Sequence, residues 1–359
     1  MVNGNNAQQR FYIVDGLRGL AALVVMVRHM SQHTTLPLFA NGRLASDIFI
    51  FAGGFMTAYA YHNKLTQGMS LLSFFKQRLT RLYPLFILGW ILGIVNLFYK
   101  MELGGSNYGL DDLLISSLCN ILWLPYFNNL YLDIVLEKTV GAVFPGNDPA
   151  WALALIFWAS LLYATIITKS KSIYIYITCI VSCISLVIFV KYNTMAGPGW
   201  SSFNFFGGVA RTALCFFGGI ILHLNWNKIK AYIPSIGLPF VTLGILILAL
   251  LAIPNFHGYY IFWLATVLTI VPILVSLAIA SKKISLTSEK ICSELGKLSY
   301  PIYCIHYPIF SIYSTYKMGL NLSGFEIFSL ILFIVTLSHF VVRYYDEPTT
   351  KFFKRQRSR

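Results

Sequence analysis

Charge is scarce in this chain. Of its 359 residues, 11% are Asp, Glu, Lys or Arg, where a soluble domain carries about a quarter. Acids are the scarcest, with 13 Asp+Glu against 27 Lys+Arg. Nothing in the composition shifts along the chain to mark a soluble domain, so residues 1–359 read as one membrane domain. The six cysteines form no CxxC pair. Cys119, Cys179, Cys183, Cys215 and Cys304 lie in or beside apolar runs and Cys292 in a basic loop, which points to packing rather than disulfides. HExxH, Walker and GxSxG signatures are missing. His33, His62, His223, His257 and His339 lack metal-ligand spacing, so no metal is expected. No small-residue cleavage site follows the first apolar run, which therefore reads as a retained helix.

What the chain has in abundance is hydrophobic sequence, 57% of residues. A bilayer core takes about 20 apolar residues per helix. Ten runs qualify, near 12–31, 45–62, 82–99, 149–168, 173–191, 205–224, 234–252, 259–280, 297–316 and 325–345. The fold class is accordingly all-α, a polytopic membrane protein of about ten transmembrane helices. The connection 104–148 is the one long one. Its apolar piece LLISSLCNILWLPYF is too short to span and reads as an interfacial or re-entrant helix. With the N-terminus placed in the cytoplasm, most basic residues fall inside, including Lys76, Arg78, Arg81, Lys297, Arg343 and Lys351. That asymmetry matches an even number of spans with both termini cytoplasmic, in the inner membrane. It also accounts for the basic excess without a nucleic-acid partner.

Against this background a few ionisable residues stand out. Arg18 and His29 lie in the first run, IVDGLRGLAALVVMVRHM, eleven residues apart. Eleven helical steps are three turns plus about 20°, so both share a face, about 16 Å apart along the axis. Such groups at membrane depth are functional candidates, although both can also snorkel to opposite interfaces. In SFFKQRLTRLYP, Arg78 and Arg81 share a face of a short helix before Pro84 opens the third span. Two readings stand: positive-inside anchoring, or a bidentate phosphate site. Asp47, at the level of His29, can orient and stabilise its imidazole or serve as an N-cap. Arg211 lies within GGVARTALCFFGG and suits a structural pairing with an acid. Trp151 follows Asn147-Asp148-Pro149 and suits an aromatic belt. His306, in LGKLSYPIYCIHYPIF, reads equally as a core histidine or as a site residue.

Taken together these residues resemble the acyltransferase-3 family of integral-membrane acyltransferases. The resemblance rests on DGLRGLAALVVMVRH, FFKQRLTRLYP, SDIFIFAGGF, the tryptophan after Asp148-Pro149, LGKLSYPIYCIH and the terminal YDEPTTKFFKR, and covers nearly the whole chain. It implies a membrane domain that moves an acyl group, with acetyl the default, from cytoplasmic acyl-CoA to a hydroxyl of an extracytoplasmic or lipid-linked glycan. By motif, His29 would be catalytic, Arg18 its partner, and Arg78 and Arg81 the donor-binding pair. Two departures stand out. Relatives read roughly WSLSxE after the tryptophan, whereas this chain reads WALALI and lacks the acid. Their SGF is Gly53-Gly54-Phe55 here.

Chemistry fits the same reading. Cations at the inner mouth would hold the phosphates of CoA, and the pantetheine arm is about as long as the Arg18–His29 separation. His29 would act as general base. Tyr300, Tyr303 or Arg211 would serve as oxyanion donor. The rival class is a secondary transporter or exporter of a glycan or lipid. It predicts an internal repeat and midplane ionisable groups, and the sequence shows neither.

Overall fold

A computed structural model describes residues 10–32, 38–103, 107–133, 138–233, 240–281, 285–317 and 322–357. His33 and the first six positions of the expected 234–252 span lie outside them.

The described chain is mostly helical, with one small hairpin. In order come α1 (Tyr12–Ser31), α2 (Arg43–Thr66), α3 (Leu71–Glu102) and α4 (Leu110–Ile121). Strands β1 (Tyr131–Asp133) and β2 (Lys138–Val140) pair antiparallel, with Tyr131 opposite Val140. Next are α5 (Ala150–Lys169), α6 (Ile173–Asn193), α7 (Phe205–Leu224), the one-turn α8 (Trp226–Ile229) and α9 (Phe240–Ala252). Then follow α10 (Tyr259–Leu268), α11 (Ile270–Ala280), α12 (Leu286–Tyr316) and α13 (Gly324–Val341). A π-helical turn over Val342–Asp346 leads into α14 (Glu347–Arg357). The hairpin corrects the all-α expectation locally. It lies in the long connection, after α4.

Among the described residues, seven helical stretches are long and apolar enough to cross a membrane: α2, α3, α5, α6, α7, α10 with α11, and α13 with its continuation. Three other expected spans are helical but differ in kind. α1 carries Asp15, Arg18 and Arg28, and α12 is rich in Tyr and Ser. α9 has 13 described residues. One expected boundary is corrected. Pro84 does not open a helix, because α3 runs unbroken through it from Leu71, with Ser70 capping Ser73 N–H. The hydroxyls of Tyr300 and Tyr345 donate to the carbonyls of Leu82 and Pro84 and brace the helix there. The 259–280 run is broken at Thr269, three residues before Pro272, whose ring cannot fit against the carbonyl of residue 268.

α1 packs along α12, and α2 along α7. The second contact is close because Gly54 and Gly219 face each other's helix backbone, where a Cβ would collide with the carbonyls of Phe216 and Phe51. α4 is the short helix expected in the long connection. About 18 Å long, it exposes Leu110, Leu114, Ile115 and Leu118 along one side, as an interfacial helix does. α6 and α13 also turn apolar side chains outward, among them Ile177, Ile184, Phe328 and Leu332.

Candidate active site

α1 is continuous from Tyr12 to Ser31, so the shared face of Arg18 and His29 holds. The two lie toward opposite ends of that helix.

At the C-terminal end of α1, His29 lines a cavity of about 500 Å³, within the range of small-molecule sites. Its wall is drawn from the ends of α1, α2, α5 and α7, the 195–200 loop, and α12. The His29 ring lies 5.5 Å from that of His306 and 5.4 Å, edge-on, from Tyr307. The Tyr307 hydroxyl donates to Asp148 Oδ2 at 2.7 Å. Asp148 precedes α5 and faces the same cavity. Burial pushes its carboxyl up to about 6, with Lys100 and the Tyr307 bond pulling against that shift. A second cavity, between α3 and α4, is water-sized at about 20 Å³.

His306 is fully buried. Its Nδ1 faces the carbonyls of Ile302 at 2.9 Å and Tyr303 at 3.1 Å. Both partners are acceptors, so Nδ1 carries the proton, and Nε2 in the neutral ring is a bare lone pair. That nitrogen has no hydrogen-bond partner among the described residues. One half of His306 is thus a satisfied core group, and the other stays available beside His29.

At the other end, the Arg18 guanidinium lies over the Phe49 ring at 5.1 Å, and its Nε is buried without a hydrogen-bond partner among the described residues. Phe49 stacks on Tyr303 at 5.5 Å, and Tyr303 lies 6.0 Å from His306. Phe49 and Tyr303 thus form a line of contacts from Arg18 to His306. Arg78 and Arg81 converge on Arg18 closely enough for the three charges to repel one another. Arg78 Nε donates to Ser160 Oγ at 3.3 Å. Arg81 is largely exposed and reaches Asp346 only at 3.9 Å.

Asp47 and Trp151 are placed differently from expectation, and Arg211 as expected. Asp47 does not belong to His29: its Oδ1 accepts from Arg211 Nε at 2.6 Å and its Oδ2 from Trp263 Nε1 at 3.0 Å. The pair is fully buried, and the carboxylate sits behind the cavity wall. Arg211 donates to Asp47 and to the carbonyls of Pro198 and Arg43, the structural pairing expected of it, which engages three of its five N–H groups. Trp151 is buried against Arg211, at 5.6 Å, so it is a cavity wall rather than a belt residue. Tyr300 spends its hydroxyl on Leu82 and points toward the arginine cluster, whereas Tyr303 lines the cavity.

Sequence reasoning missed the pairing of Asp148 with Tyr307, 159 residues apart. The signals were an acid three residues before Trp151 and the tandem His306-Tyr307. Asp148 lies eight residues before Ile156, the position at which the acid was expected.

Comparison with known proteins gives the class. A family model described as an acyltransferase domain matches residues 11–343. The chain belongs to the acyltransferase-3 family of integral-membrane acyltransferases. Among its relatives, protein 2 in the picA locus of Rhizobium radiobacter is 34% identical over 155 residues, 40% of this chain and 76% of that protein. Acyltransferase MdmB of Streptomyces mycarofaciens is 28% identical over 157 residues, 40% of this chain and 36% of its own length. O-acetyltransferase OatA of Staphylococcus aureus is 23% identical over 363 residues, 94% of this chain. This chain spans only 57% of the length of OatA. No solved structure matches the chain.

Proposed function

We propose that this chain is an O-acyltransferase of the inner membrane. It would take an acyl group, acetyl by default, from cytoplasmic acyl-CoA and pass it to a hydroxyl of an extracytoplasmic or lipid-linked glycan. In this reading ten helices span the bilayer and both termini are cytoplasmic. The observation that carries it is the layout of α1: three converging guanidiniums at one end, His29 in an open cavity at the other, and about 16 Å between Arg18 and His29.

The chemistry follows from that layout. Arg78, Arg81 and Arg18 hold the donor phosphates, whose charge relieves the mutual repulsion of the cluster. The thin pantetheine arm then threads past Phe49 and Tyr303 toward His29. The acceptor hydroxyl loses its proton to the imidazole as its oxygen attacks the thioester carbonyl. The C–S bond breaks, and the imidazolium returns the proton to the departing CoA thiolate. Asp148, through the Tyr307 ring, fixes the orientation of His29 and stabilises its cationic form. It takes the place expected of Asp47.

Two outcomes test this reading. Arg78→Gln/Arg81→Gln should weaken acetyl-CoA binding to the purified protein by about tenfold or more, since each charge-assisted contact contributes about 1.5–3 kcal/mol. Wild-type protein that binds no short acyl-CoA would return the weight to a transporter. Asp148→Asn should lower kcat by about tenfold to a hundredfold with the acetyl-CoA KM little changed. In the wild type, kcat/KM should fall as pH drops through about 6, because protonation removes the negative charge that supports the imidazolium. An unaltered pH profile in Asp148→Asn would remove the carboxylate from catalysis.

A further inference from the structure

Two guanidiniums on the cavity wall have no role in the chemistry above. Arg28 precedes His29 at the end of α1, and Arg43 opens α2; both face the 500 Å³ cavity. Their stems are seated in prepared places. The side chain of Arg28 lies across Gly42 and that of Arg43 across Gly197, where in each case a Cβ would collide with the arginine δ-carbon. Gly197 also has a φ of +66°, a backbone state that favours glycine.

Nothing described neutralises them. Among the described residues no carboxylate lies within ion-pair distance of either guanidinium. The third arginine on this wall, Arg211, is paired with Asp47. The carboxylate across the cavity, Asp148, is engaged by Tyr307 and feels Lys100. Arg28 and Arg43 are also close enough to repel one another. Two like charges held together at the edge of an apolar bundle are costly unless a counter-charge arrives. That charge is not the CoA phosphate, which the proposed function places at the far end of α1.

We infer that Arg28 and Arg43 form an anion clamp, which holds a carboxylate or phosphate of the transfer substrate beside His29. The inference rests on the proposed function for the identity of the substrate, but the sugar-binding arm of its test needs no donor. The anion has two possible sources. It belongs either to the acceptor, as a uronic acid or a phosphorylated sugar, or to the acyl group, as in a dicarboxylic acyl chain. Guanidiniums suit both, since they bind planar carboxylates and phosphates in bidentate fashion.

The test uses the full chain in lipid nanodiscs. Binding of methyl β-glucuronide is compared with that of the neutral methyl β-glucoside, and turnover of succinyl-CoA with that of acetyl-CoA. The expected result is a preference of about tenfold or more for the anionic member of one pair. That preference should fall below about threefold in Arg28→Gln/Arg43→Gln and survive in Arg28→Lys/Arg43→Lys, with melting temperature as the control for folding. Selectivity in the sugar pair assigns the anion to the acceptor, and selectivity in the CoA pair assigns it to the acyl group. Lack of an anionic preference in both wild-type pairs overturns the clamp, even if the double variant fails to fold. So does a preference that the folded Gln variant retains. Acetyl-CoA that neither binds nor turns over, with glucuronide preference intact, would sink the acyltransferase reading and leave the clamp standing.

Discussion

Replacing His29 with Gln should lower acyl transfer by about 10²–10⁴-fold, the usual worth of a positioned general base, while acetyl-CoA still binds. The reason is positional. His29 is the titratable ring on α1 that faces the cavity, and its neighbours His306 and Tyr307 are each tied elsewhere, to backbone carbonyls and to Asp148. Glutamine fills similar space but cannot take a proton from the acceptor. A radiolabelled acetyl-CoA assay on membranes reads the transfer, and binding of acetyl-CoA to the same preparation separates chemistry from donor affinity. His306→Gln should cost less, because its Nδ1 serves the α12 backbone. Full transfer by His29→Gln would end the general-base reading and shift attention to the bare Nε2 of His306.

The second large effect is on stability. Asp47→Asn removes the only formal counter-charge that Arg211 has among the described residues, at a site where both side chains are almost wholly buried. Breaking one partner of such a pair costs about 3–5 kcal/mol, since the remaining charge is left uncompensated. Thermal unfolding of the purified protein should therefore shift downward, with activity per folded molecule largely kept. Arg211→Gln in the same background should recover part of the loss. If Asp47→Asn instead melted like wild type and cut kcat, the buried pair would be dispensable and Asp47 would regain the catalytic role that its position in the sequence suggests.

The contrast between Asp47 and Asp148 shows what the sequence could and could not say. Arg18 and His29 were legible because they share one helix, and helical geometry alone fixes their relation. The cluster of Arg78 with Arg81 was legible for the same reason. Asp47 was given to His29 because both lie near the same membrane depth. Depth is one coordinate of three. The direction in which Asp47 points is set by Arg211, 164 residues away, and by Trp263. Asp148 was passed over because its partner, Tyr307, comes from a helix whose packing no local pattern reveals. The ten apolar runs were readable from length and hydropathy, and the described part of each is helical. The break at Thr269 and the unbroken path of α3 through Pro84 were not, since a proline is compatible with either outcome until its neighbours are known.

The stack of Arg18, Phe49 and Tyr303 has a consequence for the membrane as an electrical insulator. An enzyme that joins a substrate on one side of a bilayer to a substrate on the other must open a path without opening a leak. Phe49 and Tyr303 set two uncharged rings between Arg18 and the cavity, a short septum that offers an ion no counter-charge. In the proposed reaction only the uncharged acyl arm enters it, while the charged head of the donor stays in the vestibule it came from. The rings act as a gasket around a moving, neutral rod.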